Sequence, residues 1–215
     1  MSKRLVLLGC SHIGHKDTDY EMLKKYLEID ADILDIGDTF EAGVPDKKNK
    51  MMEQNLTLDE QFDRAVALYY PHKSRIIGKC TSNHSNRVWE SLGFDFDKAF
   101  CAQLGVKYFG ARGQILWNGL RISFHHGYGS GCNEWKDAME LLTIYPDSDI
   151  IVVSHKHFKE YKIIQNYLRG KLHKVYLIRT GALLKRARYA EIANYIPHYP
   201  GFSIITYNKG VITID

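Results

Sequence analysis

Apolar residues fall along this chain in short blocks, and most blocks end on a polar knot. Residues 4–9, with Leu5 to Leu8 unbroken apolar, read as a buried strand, residues 20–27 place apolar positions at helical spacing, and a second strand follows at 32–36. Strand, helix, strand in this order predicts the βαβ unit of a largely parallel sheet. Helical periodicity returns at 58–70, stopped by Pro71, and again at 95–104, with a third strand between them at 75–80. Three strand-like pieces come next, at 106–110, 114–117 and 120–124. The last two are joined by Asn118-Gly119, a hairpin signal that turns the sheet antiparallel. A helix at 133–144 leads to the most apolar strand, 150–153. Strands at 161–164, 175–179, 202–207 and 211–214 complete the pattern, with a short linker of helical character at 182–194. The pattern predicts an α/β fold in one domain spanning residues 1–215, without repeats or low-complexity tracts.

The knots carry the candidate chemistry. They are Cys10-Ser11-His12, Gly37-Asp38, Ser82-Asn83-His84, His125-His126-Gly127 and Ser154-His155-Lys156-His157, each at the predicted end of a strand. Loops at the carboxyl ends of strands in an open α/β sheet converge on ligands. Cys10 and His12 are two residues apart, as are His155 and His157, and in extended backbone that spacing sends both side chains to one side. Imidazole, carboxylate, thiolate and amide oxygen are all competent ligands of transition metals. Two ions about 3.5–4 Å apart activate a hydroxide and clamp the oxygens of an in-line displacement at phosphorus. A carboxylate can sit between two such ions, and Asp38 is the candidate for that position.

Composition narrows the setting. No apolar run approaches the roughly 20 residues of a membrane span, and the N-terminus carries no signal-peptide pattern, so a cytoplasmic protein without membrane contact is expected. Cys10, Cys80, Cys101 and Cys132 are scattered, match no CxxC zinc pattern, and read as free thiols. The formal charge of +4 permits a phosphate-bearing substrate without marking a nucleic-acid surface. Of ten histidines, the six in the knots matter most. The polar segment 39–56, with the basic run Lys47-Lys48-Asn49-Lys50, reads as a solvated surface loop, or alternatively as a flap over substrate phosphates. Gly127-Tyr128-Gly129-Ser130-Gly131 lacks the lysine and spacing of a P-loop.

Taken in order, the five knots resemble the motifs of the calcineurin-like metallophosphoesterase superfamily: Asp-x-His, Gly-Asp, Gly-Asn-His-(Asp/Glu), His-Gly and Gly-His-x-His. The match runs from Leu5 to His157, and the stretch from Thr180 to Phe202 resembles uncharacterised phage and microbial members. The resemblance implies a four-layer αββα sandwich of two mixed β-sheets and a hydrolase acting on a phosphoester. It further implies two divalent transition-metal ions (Mn, Fe or Zn). One would be held by Cys10, His12, Asp38 and His157, the other by Asp38, Asn83, His126 and His155. A metal-bridging hydroxide would attack phosphorus, with His84 as the catalytic residue, acting as general acid or as a donor to a phosphate oxygen. His126 is preferred to His125 because it precedes Gly127.

The chain departs from that pattern at four places. Cys10 stands where the family has aspartate, an opening similar to that of RNA lariat debranching enzymes, and a thiolate there favours Zn²⁺ or Fe²⁺ over Mg²⁺. Ser85 replaces the acid that orients the catalytic histidine, and Ser82 and Ser154 replace glycines. Arg87, one helical turn beyond His84, is a candidate phosphate clamp. His15 is either a phosphate contact or a surface residue, and His72, His173 and His198 read as structural. The expected activity is phosphodiester hydrolysis, with nucleic acid or a nucleotide as a possible substrate. The alternatives are a phosphomonoesterase, or a scaffold that keeps the fold, has lost the metals and binds a partner protein.

Overall fold

The computed structural model describes residues 2–45, 53–129, 135–185 and 199–215. In chain order its elements are β1 (Lys3–Leu8), α1 (Tyr20–Glu28), β2 (Asp32–Asp35), α2 (Leu58–Tyr69), β3 (Ile76–Lys79), α3 (Asn83–Leu92), α4 (Phe96–Leu104), β4 (Arg112–Trp117), β5 (Leu120–His125), α5 (Lys136–Ile144), β6 (Ile150–Val153), β7 (Glu160–Leu168), β8 (Lys171–Arg179), β9 (Ser203–Asn208) and β10 (Val211–Ile214). A 3₁₀ turn, Tyr70–Arg75, carries Pro71 and separates α2 from β3.

The strands form two five-stranded sheets, ordered β10-β9-β1-β2-β3 and β4-β5-β6-β8-β7. Both are mixed. β1, β2 and β3 run parallel, and β9 pairs antiparallel with β1. In the second sheet β5, β6 and β8 run parallel, with β4 and β7 antiparallel at the two edges.

The apolar runs are continuous because both faces of the central strands are covered. Along β1, Val6 and Leu8 pack outward with Leu23 and Leu27 of α1 and Ala65 of α2. Leu5 and Leu7 pack inward, with Ile122, Phe124, Ile150, Val152 and Ile178 of the second sheet. On the far side of that sheet, Ile151, Val153 and Val175 pack with Leu141 and Leu142 of α5. Helix, sheet, sheet, helix is the four-layer αββα sandwich. Each fully buried leucine or isoleucine contributes roughly 1.5–3 kcal/mol.

Local signals set the ends of elements. Asp19 accepts the Met22 N–H at the start of α1, and Thr57 and Glu60 form a capping box on α2. Asn118 and Gly119 both take positive φ (49° and 86°), as the two-residue β4–β5 hairpin requires.

Three expectations are corrected. Residues 106–110 form no strand. They meet the end of β3 through one bridge, Lys79 with Tyr108, after which the chain turns at Gly110 (φ 66°). Strands β7 and β8 are longer than expected, nine residues each, and meet in a turn at Arg169-Gly170. Residues 39–44 are buried rather than solvated, because Phe40 packs edge-on against Phe96 and Phe100. The basic run 47–50, Cys132, His198, the start of the 133–144 helix and most of the 182–194 linker lie outside the described residues.

Candidate metal centre

Five loops leave the carboxyl ends of β1, β2, β3, β5 and β6 and meet above the facing sheets. Main-chain bonds tie the first two together: Cys10 N–H donates to Gly37 O (2.9 Å), His12 N–H to Asp38 O (2.9 Å) and Ile13 N–H to Thr39 O (2.8 Å). On the second sheet, Ser154 N–H donates to His126 O (2.9 Å).

This cross-linking bends the loops sharply. Cys10, His12, Asp38, His155 and His157 all take left-handed backbone, with φ between 50° and 67°. The two-residue spacing therefore does not act through extended alternation, as the sequence suggests. Each member of a pair is turned inward by its own left-handed residue. Such conformations cost of order 1–3 kcal/mol each and persist where surrounding structure imposes them, typically at functional sites.

Two sets of ligand atoms gather around Asp38. One atom from each of Cys10, His12, Asp38 and His157 lies within 4.8 Å of the others, and the same holds for Asp38, His126 and His155. A third set joins His12, Glu41 and His84. Asn83 opens α3 and is the one expected ligand that is exposed. His125 is not among these sets; its Nδ1 accepts the Gly127 N–H (2.9 Å). His15 is buried rather than on the surface, with Nδ1 accepting the Asp17 N–H (3.0 Å) and Nε2 3.8 Å from Glu53. Arg87 is half-buried, and its charge acts on His84. His72 pairs with Arg75, and His173 lies 3.0 Å from Ser148 O, in keeping with structural roles.

Ring orientation is the most informative feature. His126 Nδ1 sits 2.8 Å from Ile36 O, and His84 Nδ1 2.6 Å from Glu41 O. A carbonyl oxygen only accepts, so both Nδ1 atoms carry the proton. His12 Nδ1 meets the Glu41 carboxylate at 3.0 Å, with the same consequence. The Nε2 lone pairs then face inward. His126 Nε2 lies 3.0 Å from Asp38 Oδ2, His84 Nε2 3.9 Å and His12 Nε2 4.0 Å from the same oxygen, and His12 Nε2 meets His157 Nε2 at 3.0 Å. Asp38 Oδ2 and His126 Nε2 are both buried without a hydrogen-bond partner. Lone pairs aimed at one another need a cation or an added proton between them.

The electrostatics agree. Burial works against ionising Asp38, yet His126 and His84 hold its carboxyl well below the usual range. Burial also opposes a charge on His126, but Asp38 prevails and raises its pKa. Burial, followed by the charge of His126, lowers His155 to about 4. Burial and the nearby His12 push His157 well down, and burial lowers His84. Burial and the Asp38 carboxylate push the Cys10 thiol well up. A divalent cation reverses this last effect and favours the thiolate.

Several supporting residues escape sequence reasoning. Glu41 holds His12 and, through its carbonyl, His84; its only signal is an acid three residues past Asp38. Asp35 accepts from Gly37 N–H (2.8 Å) and Thr39 Oγ1 (2.8 Å) and so shapes the turn that carries Asp38. Buried Lys79 lies 3.1 Å from Asp35 and 3.1 Å from Asp97, which keep it charged against the cost of burial. Behind the second sheet, Arg179 grips Asp137 at 3.2 and 3.3 Å and donates to Ser154 O (3.3 Å).

No model of a known protein family matches the sequence, and no curated protein matches it. Solved structures do. The chain is similar to a protein described as a novel archaeal phosphodiesterase, at 10% identity over 99% of this chain and 98% of that one, with a TM-score of 0.53. It is similar to Yfce, a phosphoesterase from E. coli (13% identity, 97% and 90%, TM-score 0.51), and to Vps29 from Chaetomium thermophilum (12%, 99% and 83%, TM-score 0.53). At these identities the likeness concerns architecture. The chain has the calcineurin-like metallophosphoesterase fold.

Proposed function

We propose that the chain is a metal-dependent phosphoesterase that acts on phosphodiesters. The observation that carries this reading is the orientation of His12 and His126. Each spends Nδ1 on an outer oxygen and turns Nε2 towards Asp38. Metal-ligating histidines are oriented in this way by outer-shell oxygens. In this reading Cys10, His12, Asp38 and His157 hold one divalent ion, and Asp38, Asn83, His126 and His155 the other. The mixed imidazole, carboxylate and sulfur set suits Mn, Fe or Zn. Ions bound there supply Lewis-acid polarisation and charge neutralisation at a phosphoryl group.

The chain's own residues do the rest. Asp38 contributes a carboxylate to both sets, on the turn that Asp35 shapes through Gly37 and Thr39. His84 keeps Nδ1–H on Glu41 O and presents Nε2 to the site; in its imidazolium form it can pass the Nε2 proton to the leaving-group oxygen. Arg87 places a positive charge beside it for a phosphate oxygen. The net charge of +4 permits a phosphate-bearing substrate, such as a diester of a nucleotide or nucleic acid. For such a substrate KM rises steeply with salt.

Hydrolysis of bis(p-nitrophenyl) phosphate and p-nitrophenyl phosphate by Mn²⁺- or Zn²⁺-loaded protein tests the proposal. The diester is expected to turn over faster, and His84→Ala to lower kcat by about 10²–10⁴ with bound metal unchanged. Turnover of the monoester alone would move the reading to phosphomonoesterases. No turnover of either by fully loaded protein would overturn it.

A further inference from the structure

Two of the four departures from the family pattern, Cys10 and Ser154, lie 144 residues apart in sequence and touch in space. Cys10 Sγ and Ser154 Oγ are 3.1 Å apart, and both residues are fully buried. The sulfur lies within 4.8 Å of ligand atoms of His12, Asp38 and His157 and also touches the Ser154 hydroxyl. The main-chain N–H of His155 lies against the same sulfur.

The chemistry of a sulfur ligand explains why it needs this neighbour. A carboxylate has two oxygens, so one can bind an ion while the protein holds the other. A thiolate has a single donor atom. It is held from outside only by hydrogen bonds to that same atom. The Ser154 hydroxyl has one proton, and Cys10 Sγ is the partner within reach among the described residues. Either group can donate while the sulfur is a thiol, but a thiolate has no proton, so once the sulfur is ionised the hydroxyl is the donor.

The surrounding chain makes room for that hydroxyl and fixes it. A Cβ at Gly9 would lie 2.4 Å from Ser154 Oγ and 2.9 Å from Thr180 Cγ2, so a side chain at position 9 would displace the hydroxyl. Ser154 itself is tied at both ends of its peptide unit. Its N–H donates to His126 O, and its carbonyl accepts from Arg179, which is clamped on Asp137.

We infer that Ser154 is a positioning residue for the Cys10 sulfur, and that Gly9, Cys10 and Ser154 act as one unit that turns the first metal position into a sulfur-ligand site preferring Zn²⁺ or Co²⁺ to Mg²⁺. This rests on the proposed metal-dependent reading and goes beyond it, by assigning a role to a residue outside the ligand set. Carboxylate at position 10 would not need the hydroxyl. The two substitutions are thus coupled rather than independent.

Cobalt(II) titration of the full chain, after removal of resident metal, tests the unit by absorption. A Co²⁺ thiolate gives a sulfur-to-metal charge-transfer band in the near ultraviolet, whereas histidine and carboxylate ligands give only visible ligand-field bands. The wild-type chain is expected to show the charge-transfer band, and Cys10→Asp to lose it while keeping the visible bands. Ser154→Ala, and Ser154→Gly in case the alanine variant misfolds, should keep the band but move it to lower energy, because the sulfur lone pair loses a donor. Both should weaken Co²⁺ binding about tenfold or more. In the Cys10→Asp background the same serine substitutions should change affinity less than twofold.

A band position and affinity unchanged by loss of the hydroxyl would overturn the inference, as would an equal loss in the Cys10→Asp background. Visible bands without any charge-transfer band would remove Cys10 from the ligands and overturn the inference while leaving the metal-dependent reading intact. No cobalt uptake at all would overturn both.

Discussion

Glu41 controls two histidines at once: its carboxylate holds His12 Nδ1 at 3.0 Å, and its carbonyl holds His84 Nδ1 at 2.6 Å. Replacing the carboxylate alone separates these roles. Glu41→Gln keeps the main-chain contact to His84 and removes the charge that orients His12. Metal affinity at the first position is expected to fall about 10–100-fold, read by calorimetric titration, with little change in the unfolding midpoint of the metal-free chain. Unchanged affinity would show that the loop geometry alone orients His12. Glu41 also shows where residue-level reading of the sequence stops. Cys10, His12, Asp38, His126, His155 and His157 stand out because metal ligands are few in type and follow strand ends. An outer-shell acid stands out by neither type nor spacing, since its role depends on a turn that brings residue 41 back over residue 12. The same holds for Ser154, which the sequence offers only as a replacement for a glycine.

Histidine burial sets the response of the metal-free chain to acid. His155 titrates near 4 in the folded chain against 6.5 when unfolded, and His157 and His84 are also held low. As pH falls from about 6.5 towards 4, the unfolded chain binds protons that the folded one refuses, so stability is lost through that window. The depressed carboxyls of Asp38 and Glu41 add a loss of the same sign at lower pH, while His126, whose pKa is raised, acts in the opposite sense. The unfolding temperature of chelated protein should therefore fall on acidification from pH 7 to pH 5. A flat or rising temperature would contradict the arrangement of neutral inward-facing rings.

At the scale of elements, β2, β3 and α4 are joined beneath the centre by Lys79, Asp35 and Asp97. Lys79→Met leaves two buried carboxylates without their cation and is expected to cost about 3–5 kcal/mol, measured by urea denaturation. A cost below about 1 kcal/mol would mean that both acids are neutral in the folded chain. Most elements were legible because each apolar run had a distinct length and period. The exceptions have physical causes. Residues 106–110 have strand-like composition, but the end of β3 offers them one bridge rather than a ladder. Residues 39–44 look polar and loop-like, yet Phe40 draws them into the aromatic cluster beneath the site. The ends of β7 and β8 next to their shared turn are hidden from pattern reading because Tyr167 and Leu172 remain exposed, so burial does not impose alternation there.

At the scale of the molecule, the two sheets bring five strand ends to one place, and Asp38 is the point they share. That convergence is what the order of knots implied, and the facing of the sheets is what makes it possible. Among the described residues no helix is long and apolar enough to cross a membrane. An ion that binds only the folded chain stabilises it by mass action, about 2.7 kcal/mol at a free concentration one hundred times Kd. An ion bound there would also help to hold the left-handed residues at positions 10, 12, 38, 155 and 157 in place.

Elemental metal content per chain, on untagged protein purified without chelators, tests the central claim most directly. Two equivalents of Mn, Fe or Zn are predicted, falling when Asp38 is changed to Asn, which tolerates the same left-handed backbone but cannot bridge as a charged carboxylate. A chain that carries no metal, and takes up none on titration, would contradict the metal-dependent phosphoesterase.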